Sequence, residues 1–300
     1  MSTTPAPRTL FQEWIDDAAV FPPGNAPVPR AWSEHAELLA GTEGDLLGPL
    51  LVGASAVEEL GQSATVQAPP DHVSPVDVAI VGRAGTSVED VVNAVGSLQD
   101  QIHLTITGAE VSHNEGDWRR LVDIGLRTAV EVPREGRQMV RALDDLAAGV
   151  AEEVGGADSP AALAKWRTQS TSQAPAPDSR QLAEFLMGTH ERGLAFKLTG
   201  GLHRAVAPGP SADEPHGALN ILVATHHLLR GSTLSELTAT LEIQDGPALA
   251  ALLTGLTAAE VQSLRSRFVS FGCCGVLDPL NDLADLGLIT TPQTPTKENA

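Results

Sequence analysis

The feature that most constrains this chain is the regular alternation of short apolar runs with longer stretches of helical composition. Eight runs rich in Val, Ile, Leu and Ala are predicted as strands, at residues 18–21, 49–53, 76–82, 102–107, 127–132, 162–167, 194–199 and 268–272. Most are apolar on both faces, which is typical of buried parallel strands. The intervals between them, mostly about 25–35 residues, suit a strand followed by a helix.

The intervals also carry helix signals. Ser55-Ala-Val-Glu58 and Ser87-Val-Glu-Asp90 match the capping-box pattern at a helix start. Helical spacing is present at 29–39, 118–124, 137–148, 179–190, 217–229 and 258–267, and the longer seventh interval predicts extra helices over 233–253.

Eight alternations predict an α/β fold, a (β/α)₈ TIM barrel with extra helices between strands seven and eight. An open doubly wound sheet is the alternative, but the chain has no G-x-G-x-x-G or P-loop pattern to favour it. We expect one domain over residues 13–289, with flexible tails at 1–12 and 290–300 that are rich in Thr and Pro. Residues 168–178 directly follow strand six and are predicted to form a loop on the active face.

Charge and cysteine content limit the function classes. A formal net charge of −19 disfavours nucleic acid and anionic membranes as partners. The N-terminus lacks a charged segment followed by an apolar run, so we expect no signal peptide. The only cysteines, Cys273 and Cys274, are adjacent and poorly placed to bridge each other. Without a disulfide framework, the cytoplasm is the expected location.

Alternation within the strands places a polar set on one side of the sheet. That set contains His103, Glu131, Lys165, Arg167 and Lys197, whereas the bulky apolar residues should face the helices. Burying charges is costly unless they are paired or functional. Because barrels carry their chemistry at the carboxyl ends of the strands, the sequence predicts an inward-facing polar site there.

The lysines stand out within this set. Only three of the 19 basic residues are lysines: Lys297 is in the C-terminal tail, and Lys165 and Lys197 lie inside apolar strands. Lysine, unlike arginine, is readily neutralised by burial and a nearby cation, which suits a nucleophilic amine. The alternative is a structural ion-pair cluster of Glu131 with the two lysines. Asp16 or Asp17 either supports this cluster or has a capping or solvated role.

Several segments, spread loosely over residues 14–285, resemble the deoxyribose-phosphate aldolases, which are class I aldolase barrels. Trp14-Ile-Asp-Asp17 resembles the family's "IDHT" strand, and Thr128-Ala-Val-Glu131 resembles "ILET". Ala164-Lys165 occupies the place of the strand-six lysine. Ala195-Phe-Lys-Leu-Thr-Gly-Gly201 is similar to "VKPAGG", the most specific match, and Phe271-Gly-Cys-Cys-Gly275 is similar to "IGTSSG".

The resemblance implies that Lys165 forms a Schiff base, that Lys197 lowers the pKa of Lys165, and that the turn after strand eight binds phosphate. The chain departs from the family at several positions. His103 stands in place of the strand-four aspartate, "KTSTG" reads Lys165-Trp-Arg-Thr-Gln169, and cysteines replace the phosphate-turn serines. Residues 203–220 have no counterpart, so the substrate stays open.

Further site candidates follow the last strands. Gly200, Gly201 and Gly272 are candidates for holding a phosphate or carboxylate through backbone N–H groups, with Thr199 and Arg167 beside them. Simple chain turning is the equal alternative for the glycines. His203 and His216 either bind substrate as polar loop residues or, with Glu131 or His103, hold a divalent metal. Cys274 is either a reactive thiol or a small buried hydrophobe.

The sequence therefore predicts a class I aldolase-like lyase for a small carbonyl compound, with or without a phosphate or carboxylate group. Lys165, Lys197, Glu131 and His103 are the predicted catalytic residues, and we expect no cofactor. The alternatives are a metal-dependent hydrolase or isomerase using His203 and His216, and a non-catalytic ligand-binding barrel. Whether the chain forms a homo-oligomer stays open.

Overall fold

The computed structural model describes residues 6–114, 116–152, 161–172, 174–209 and 212–293. Eight parallel strands close into a barrel in chain order, since the first strand pairs with both the second and the eighth. The strands are β1 (Ile15–Asp17), β2 (Leu47–Gly53), β3 (Val76–Val81), β4 (Leu104–Ser112), β5 (Arg127–Glu131), β6 (Ala162–Arg167), β7 (Phe196–Thr199) and β8 (Phe268–Cys273). The predicted closed (β/α)₈ barrel is confirmed, and the open sheet is wrong.

Helices follow the strands around the outside of the barrel. They are α1 (Val28–Leu39), α2 (Val57–Val66), α3 (Val88–Gly96), α4 (Arg119–Asp123), α5 (Gly136–Glu152), α6 (Ser179–Glu191), α7 (Ala218–Leu229), α8 (Leu234–Leu241), α9 (Gly246–Leu253), α10 (Ala258–Arg265) and α11 (Leu277–Asp285). Four of these, α7 to α10, lie between β7 and β8. The buried Asn220 of α7 links the chain before α7 to the chain after α8. Its side chain donates to Ile243 O over 2.7 Å and accepts from Ala207 N over 2.9 Å.

Two predicted helix starts have different outcomes. Ser87 caps α3, where its side chain accepts from the Asp90 N–H and the Asp90 side chain accepts from the Ser87 N–H. Ser55 instead lies in a 3₁₀ turn at Ala54–Ala56, and α2 begins at Val57 without a side-chain cap. The capping-box prediction is therefore confirmed at Ser87 and wrong at Ser55.

Two predicted strands are displaced. The run at 18–21 is a turn after β1, in which Phe21 N donates to Ala18 O over 2.8 Å. Residues 102–107 were expected to be a complete strand, but Ile102 is 79% exposed and β4 continues to Ser112. A register shift between Ile106 and Gly108 leaves Thr107 as an extra residue opposite β3. The bulge reverses the alternation in the second half of β4.

The structure describes only part of the two segments that were predicted to be flexible tails. Residues 1–5 and 294–300 lie outside the described residues. Arg8–Leu10 forms a 3₁₀ helix, and Leu10 and Phe11 are buried against the barrel. This contact extends the packed core towards the N-terminus.

An aromatic row covers the outer face of β1 and β6 to β8. Phe196 stacks on Phe268 with ring centroids 5.0 Å apart, and Trp14 packs edge-on against Phe271 at 4.9 Å. Trp166 and Phe185 extend the row towards α6. Because the bulky side chains point outward on these strands, the intervening side chains must point into the barrel.

We expect Gly149→Ala to destabilise the fold. A Cβ at Gly149 in α5 would lie 2.4 Å from the Trp118 ring, and Trp118 is held by a hydrogen bond of 2.9 Å from its Nε1 to Asp145 Oδ2. Overpacking of this kind costs about 1–3 kcal/mol, measurable by urea unfolding. The matched control is Gly96→Ala in α3, where no atom lies within 4 Å and stability should stay equal or rise. Equal effects at both positions would contradict this packing.

Candidate functional site

The two strand lysines lie side by side inside the barrel. Lys165 of β6 pairs in register with Lys197 of β7 and with Glu131 of β5. Both lysines are only 4% exposed. Two ammonium groups therefore share a buried space, and their stability depends on the carboxylates around them.

One carboxylate joins the lysines. The two oxygens of Glu110, on β4, contact the two amines: Oε2 lies 2.7 Å from Lys165 Nζ, and Oε1 accepts from Lys197 Nζ. Lys165 also contacts Glu131 Oε2 at 3.0 Å, and Lys197 also contacts Asp16 Oδ2 at 2.5 Å. Each amine thus has two carboxylate partners.

The two ends of this arrangement differ. At one end, the Ser270 hydroxyl of β8 donates to Asp16 Oδ2 over 2.8 Å. At the other end, Arg167 Nε donates to Glu131 Oε1 over 3.0 Å. The members alternate in charge, and we call them the charge chain: Asp16, Lys197, Glu110, Lys165, Glu131 and Arg167. Three negative and three positive groups leave it neutral overall when all are ionised.

The direction of each pKa shift in the charge chain depends on how many oppositely charged groups the residue contacts. Burial opposes ionisation of Glu110, but the two ammonium groups outweigh burial and lower the pKa of Glu110 to about 2. Burial would lower the pKa of Lys197, but Asp16 and Glu110 raise it above the ordinary lysine value. Asp16 has a single ammonium partner, so burial raises its pKa. Lys197 is accordingly a stable cation at neutral pH.

The structure corrects the strand-four assignment. His103 was expected to point into the barrel, but it lies before β4, where its Nδ1 is 3.4 Å from Ser74 Oγ. Glu110 occupies the interior position on this strand instead. The bulge at Thr107 explains the difference, because alternation counted from residues 102–107 does not continue past it.

The two ends of the barrel differ in what they expose. A cavity of about 750 Å³ opens among residues at the amino ends of the strands, including Glu13, Asp77 and Arg127. Lys197, Asp16 and Glu110 line its inner end. The site was expected only at the carboxyl ends, where the side chains of Glu131 and Arg167 are 24% and 34% exposed. The charge chain therefore runs from the cavity towards the carboxyl mouth.

The predicted glycines lie beside Arg167. Gly200 and Gly201 have φ values of 76° and 71°, which favour glycine, and Arg167 Nη1 is 3.6 Å from the Cβ position of Gly200. In register, Arg167 pairs with Thr199, and Thr199 pairs with Gly272. The carboxyl ends of β6, β7 and β8 thus bring the predicted anion-binding residues together.

His203 and His216 occupy different environments. His203 is partly exposed and lies among Cys273, Cys274 and Asp278. His216 is 1% exposed, and its Nε2 lies 2.8 Å from Pro177 O. Within the described ranges, no group of three or more His, Cys, Asp or Glu side chains is arranged to hold a metal ion. The proposed metal set of these histidines with Glu131 or His103 is therefore not assembled.

Comparisons with known proteins add little to the geometry. No protein-family model and no curated protein matches the chain. Among solved structures, the chain is similar to the YdjI aldolase from Escherichia coli K12, at 10% identity and a TM-score of 0.32, covering 84% of this chain and 89% of that chain. A likeness at this level carries no argument about chemistry. The assignment of the barrel fold is based on the strand pairing alone. In the described part of the chain, no helix is long and apolar enough to cross a membrane.

Glu110→Gln should be strongly destabilising. It removes the negative charge shared by two buried ammonium groups, and breaking a buried ion pair costs about 3–5 kcal/mol. Urea unfolding followed by circular dichroism measures the change. Glu89→Gln is the matched control, since Glu89 pairs with Arg120 at a surface where the side chain is 53% exposed. The control should lose less than about 1 kcal/mol; an equal loss in both variants would contradict a buried charge chain.

His216 should make stability depend on pH. Burial lowers its pKa from 6.5 to about 4, so the folded state resists protonation that the unfolded chain accepts. This contribution is complete above pH 6.5 and is lost as the pH falls towards 4. Between pH 7 and pH 5, wild type should lose on the order of 1–2 kcal/mol more than His216→Gln. The exposed His72→Gln variant should follow wild type; a His216→Gln variant that also follows wild type would refute the assignment.

Proposed function

We propose that the chain is a class I aldolase-like lyase in which Lys165 forms a Schiff base with a small carbonyl compound. The observation that carries the proposal is the place of Lys165 in the charge chain. A nucleophilic amine must lose its proton, and an ordinary lysine, with a pKa near 10.4, is almost fully charged at neutral pH. The surroundings must therefore tolerate a neutral amine.

The charge chain tolerates a neutral amine better at Lys165 than at Lys197. When Lys165 loses its proton, Glu110 still contacts Lys197 and Glu131 still contacts Arg167. When Lys197 loses its proton, Asp16 keeps only the Ser270 hydroxyl. Because unpaired buried charge is costly, this asymmetry favours Lys165 as the nucleophile and Lys197 as the permanent cation.

Glu131 is the preferred proton acceptor. Its Oε2 lies 3.0 Å from Lys165 Nζ, within reach for direct proton transfer. The neutral amine then attacks the carbonyl carbon, and loss of water leaves a protonated C=N bond. This iminium accepts the electron pair of the breaking C–C bond and becomes an enamine, while the hydroxyl of the leaving fragment loses its proton and becomes a carbonyl. Protonation and hydrolysis of the enamine release the second product and restore the amine. Glu110, the carboxylate between the two lysines, has the role that was predicted for His103.

The substrate would enter at the carboxyl mouth. Arg167 and Glu131 are the partly exposed members of the charge chain, and Arg167 lies beside the Gly200-Gly201 turn. A guanidinium with nearby backbone N–H groups favours a phosphate or carboxylate. These contacts support a small carbonyl substrate that carries one such group.

Reductive trapping tests the nucleophile. The protein is incubated with a panel of small aldehydes and ketones, with and without a phosphate or carboxylate, and then reduced with borohydride. We expect a stable adduct on Lys165, located by peptide mass spectrometry. Lys165→Arg should abolish it, because the guanidinium stays protonated. Lys197→Arg should reduce the yield of the Lys165 adduct about tenfold or more, because the larger guanidinium group displaces the Glu110 carboxylate.

The third lysine of the sequence, Lys297, serves as the internal control. Adduct confined to Lys297 or to the α-amino group would indicate unselective labelling. Adduct on Lys197 that persists in Lys165→Arg would reverse the two roles. An absence of adduct in folded protein across the whole panel would leave the charge chain as a structural cluster and would overturn the proposal.

A further inference from the structure

A thiol, an imidazole and a carboxylate lie in line at the carboxyl mouth. Cys274 follows β8, His203 lies in the loop after β7, and Asp278 is in the first turn of α11. Cys274 Sγ is 3.2 Å from His203 Nε2, and His203 Nδ1 is 3.0 Å from Asp278 Oδ2. This order, with nucleophile and carboxylate on opposite ring nitrogens, is the arrangement that activates a nucleophile.

We propose that Cys274, His203 and Asp278 form a second reactive site, which accepts the acyl group of small activated esters or thioesters. Cys274 is the nucleophile, and His203 holds its proton and later delivers it. Asp278 is a positioning residue, because it orients the imidazole and favours its charged form. This site is separate from Lys165 and does not depend on the proposed aldolase activity.

The surrounding charges favour a thiolate–imidazolium pair. Hydrogen bonds with the sulfur atoms of Cys273 and Cys274, together with Asp278, raise the pKa of His203 to about 12. Burial raises the pKa of the Cys273 thiol, and Cys273 Sγ lies 3.9 Å from His203 Nδ1. Cys274 Sγ, at 3.2 Å from Nε2, is therefore the sulfur placed to exchange a proton with His203. One helical turn further along α11, Asp282 faces Arg204 at 3.5 Å. An imidazolium next to a thiol is a recognised cause of thiol activation.

The backbone approaches the three groups closely at two glycines. A Cβ at Gly275 would lie 2.8 Å from Asp278 Oδ2 and 3.4 Å from His203 Nδ1. A Cβ at Gly24, in the loop after β1, would lie 3.1 Å from Cys274 Cβ. Cys274 and His203 are both partly exposed, so a small electrophile can reach the sulfur.

The chemistry balances without an oxidant. The thiolate attacks the acyl carbon, an S–C bond forms, and the ester C–O or thioester C–S bond breaks. The leaving alkoxide or thiolate takes the proton from the His203 imidazolium. Water then attacks the acyl-thioester with His203 as base, which releases a carboxylic acid and restores the thiol.

p-Nitrophenyl acetate tests the proposal on the full chain. We expect a burst of about one p-nitrophenolate per chain and an acetyl group on Cys274, located by peptide mass spectrometry. Cys274→Ser should abolish both signals. His72→Gln is the control, since His72 is an exposed histidine outside this site, and it should retain the burst. Circular dichroism verifies that each variant is folded.

The pH dependence of the acetylation rate distinguishes a Cys274 thiol that His203 activates from one that merely packs beside it. Between pH 8 and pH 6, acetylation of wild type should change less than about threefold, because a thiolate–imidazolium pair stays ionised. In His203→Ala, the rate should fall about tenfold per pH unit, as for an ordinary thiol. Asp278→Asn should show an intermediate slope. Acetyl groups elsewhere, or equal slopes in wild type and His203→Ala, would overturn the proposal.

Discussion

The interior of this barrel depends on alternating charge contacts among six side chains. Asp16, Lys197, Glu110, Lys165, Glu131 and Arg167 come from β1, β4, β5, β6 and β7, so no single strand can form the chain alone. A slip of one residue in any of these strands would turn its charged side chain towards the aromatic and aliphatic layer outside the barrel. The cost of burying an unpaired charge therefore helps to select one register for five of the eight strands.

Much of this interior could be predicted from sequence because it follows a period of two. In β6 and β7, bulky Trp166, Phe196 and Leu198 alternate with Lys165 and Lys197, and the structure keeps this alternation in Ala162–Arg167 and Phe196–Thr199. Such alternation is reliable where a strand has no irregularity. It fails in β4, where the extra residue Thr107 shifts the phase. Glu110 was therefore missed, and His103 was assigned a role that its position before the strand does not permit.

Contacts between residues that are far apart in the chain could not be predicted from the sequence. Asp16 was recognised only as one of two carboxylates near the first strand, because nothing local shows that it faces Lys197, 181 residues away. His203 was predicted to lie in a loop of the active face, but its partner Asp278 is 75 residues away in α11. Spacing patterns detect ligands on one element; they do not detect a pair that only barrel closure brings together.

The barrel is asymmetric, and this asymmetry connects the two proposed sites. On the β2 and β3 side, Leu51, Ala79 and Val81 form an apolar cluster with Phe21, and Leu51 approaches Gly272 so closely that a Cβ there would lie 3.4 Å from its Cδ1. Polar groups are gathered where β6 and β7 end, across the barrel from β2 and β3. Register pairs link Arg167 to Thr199 and Thr199 to Gly272, two residues before Cys274. For the proposed function, a polar substrate at the carboxyl mouth would find its hydrogen-bond partners where β6 and β7 end, since the apolar cluster offers it none.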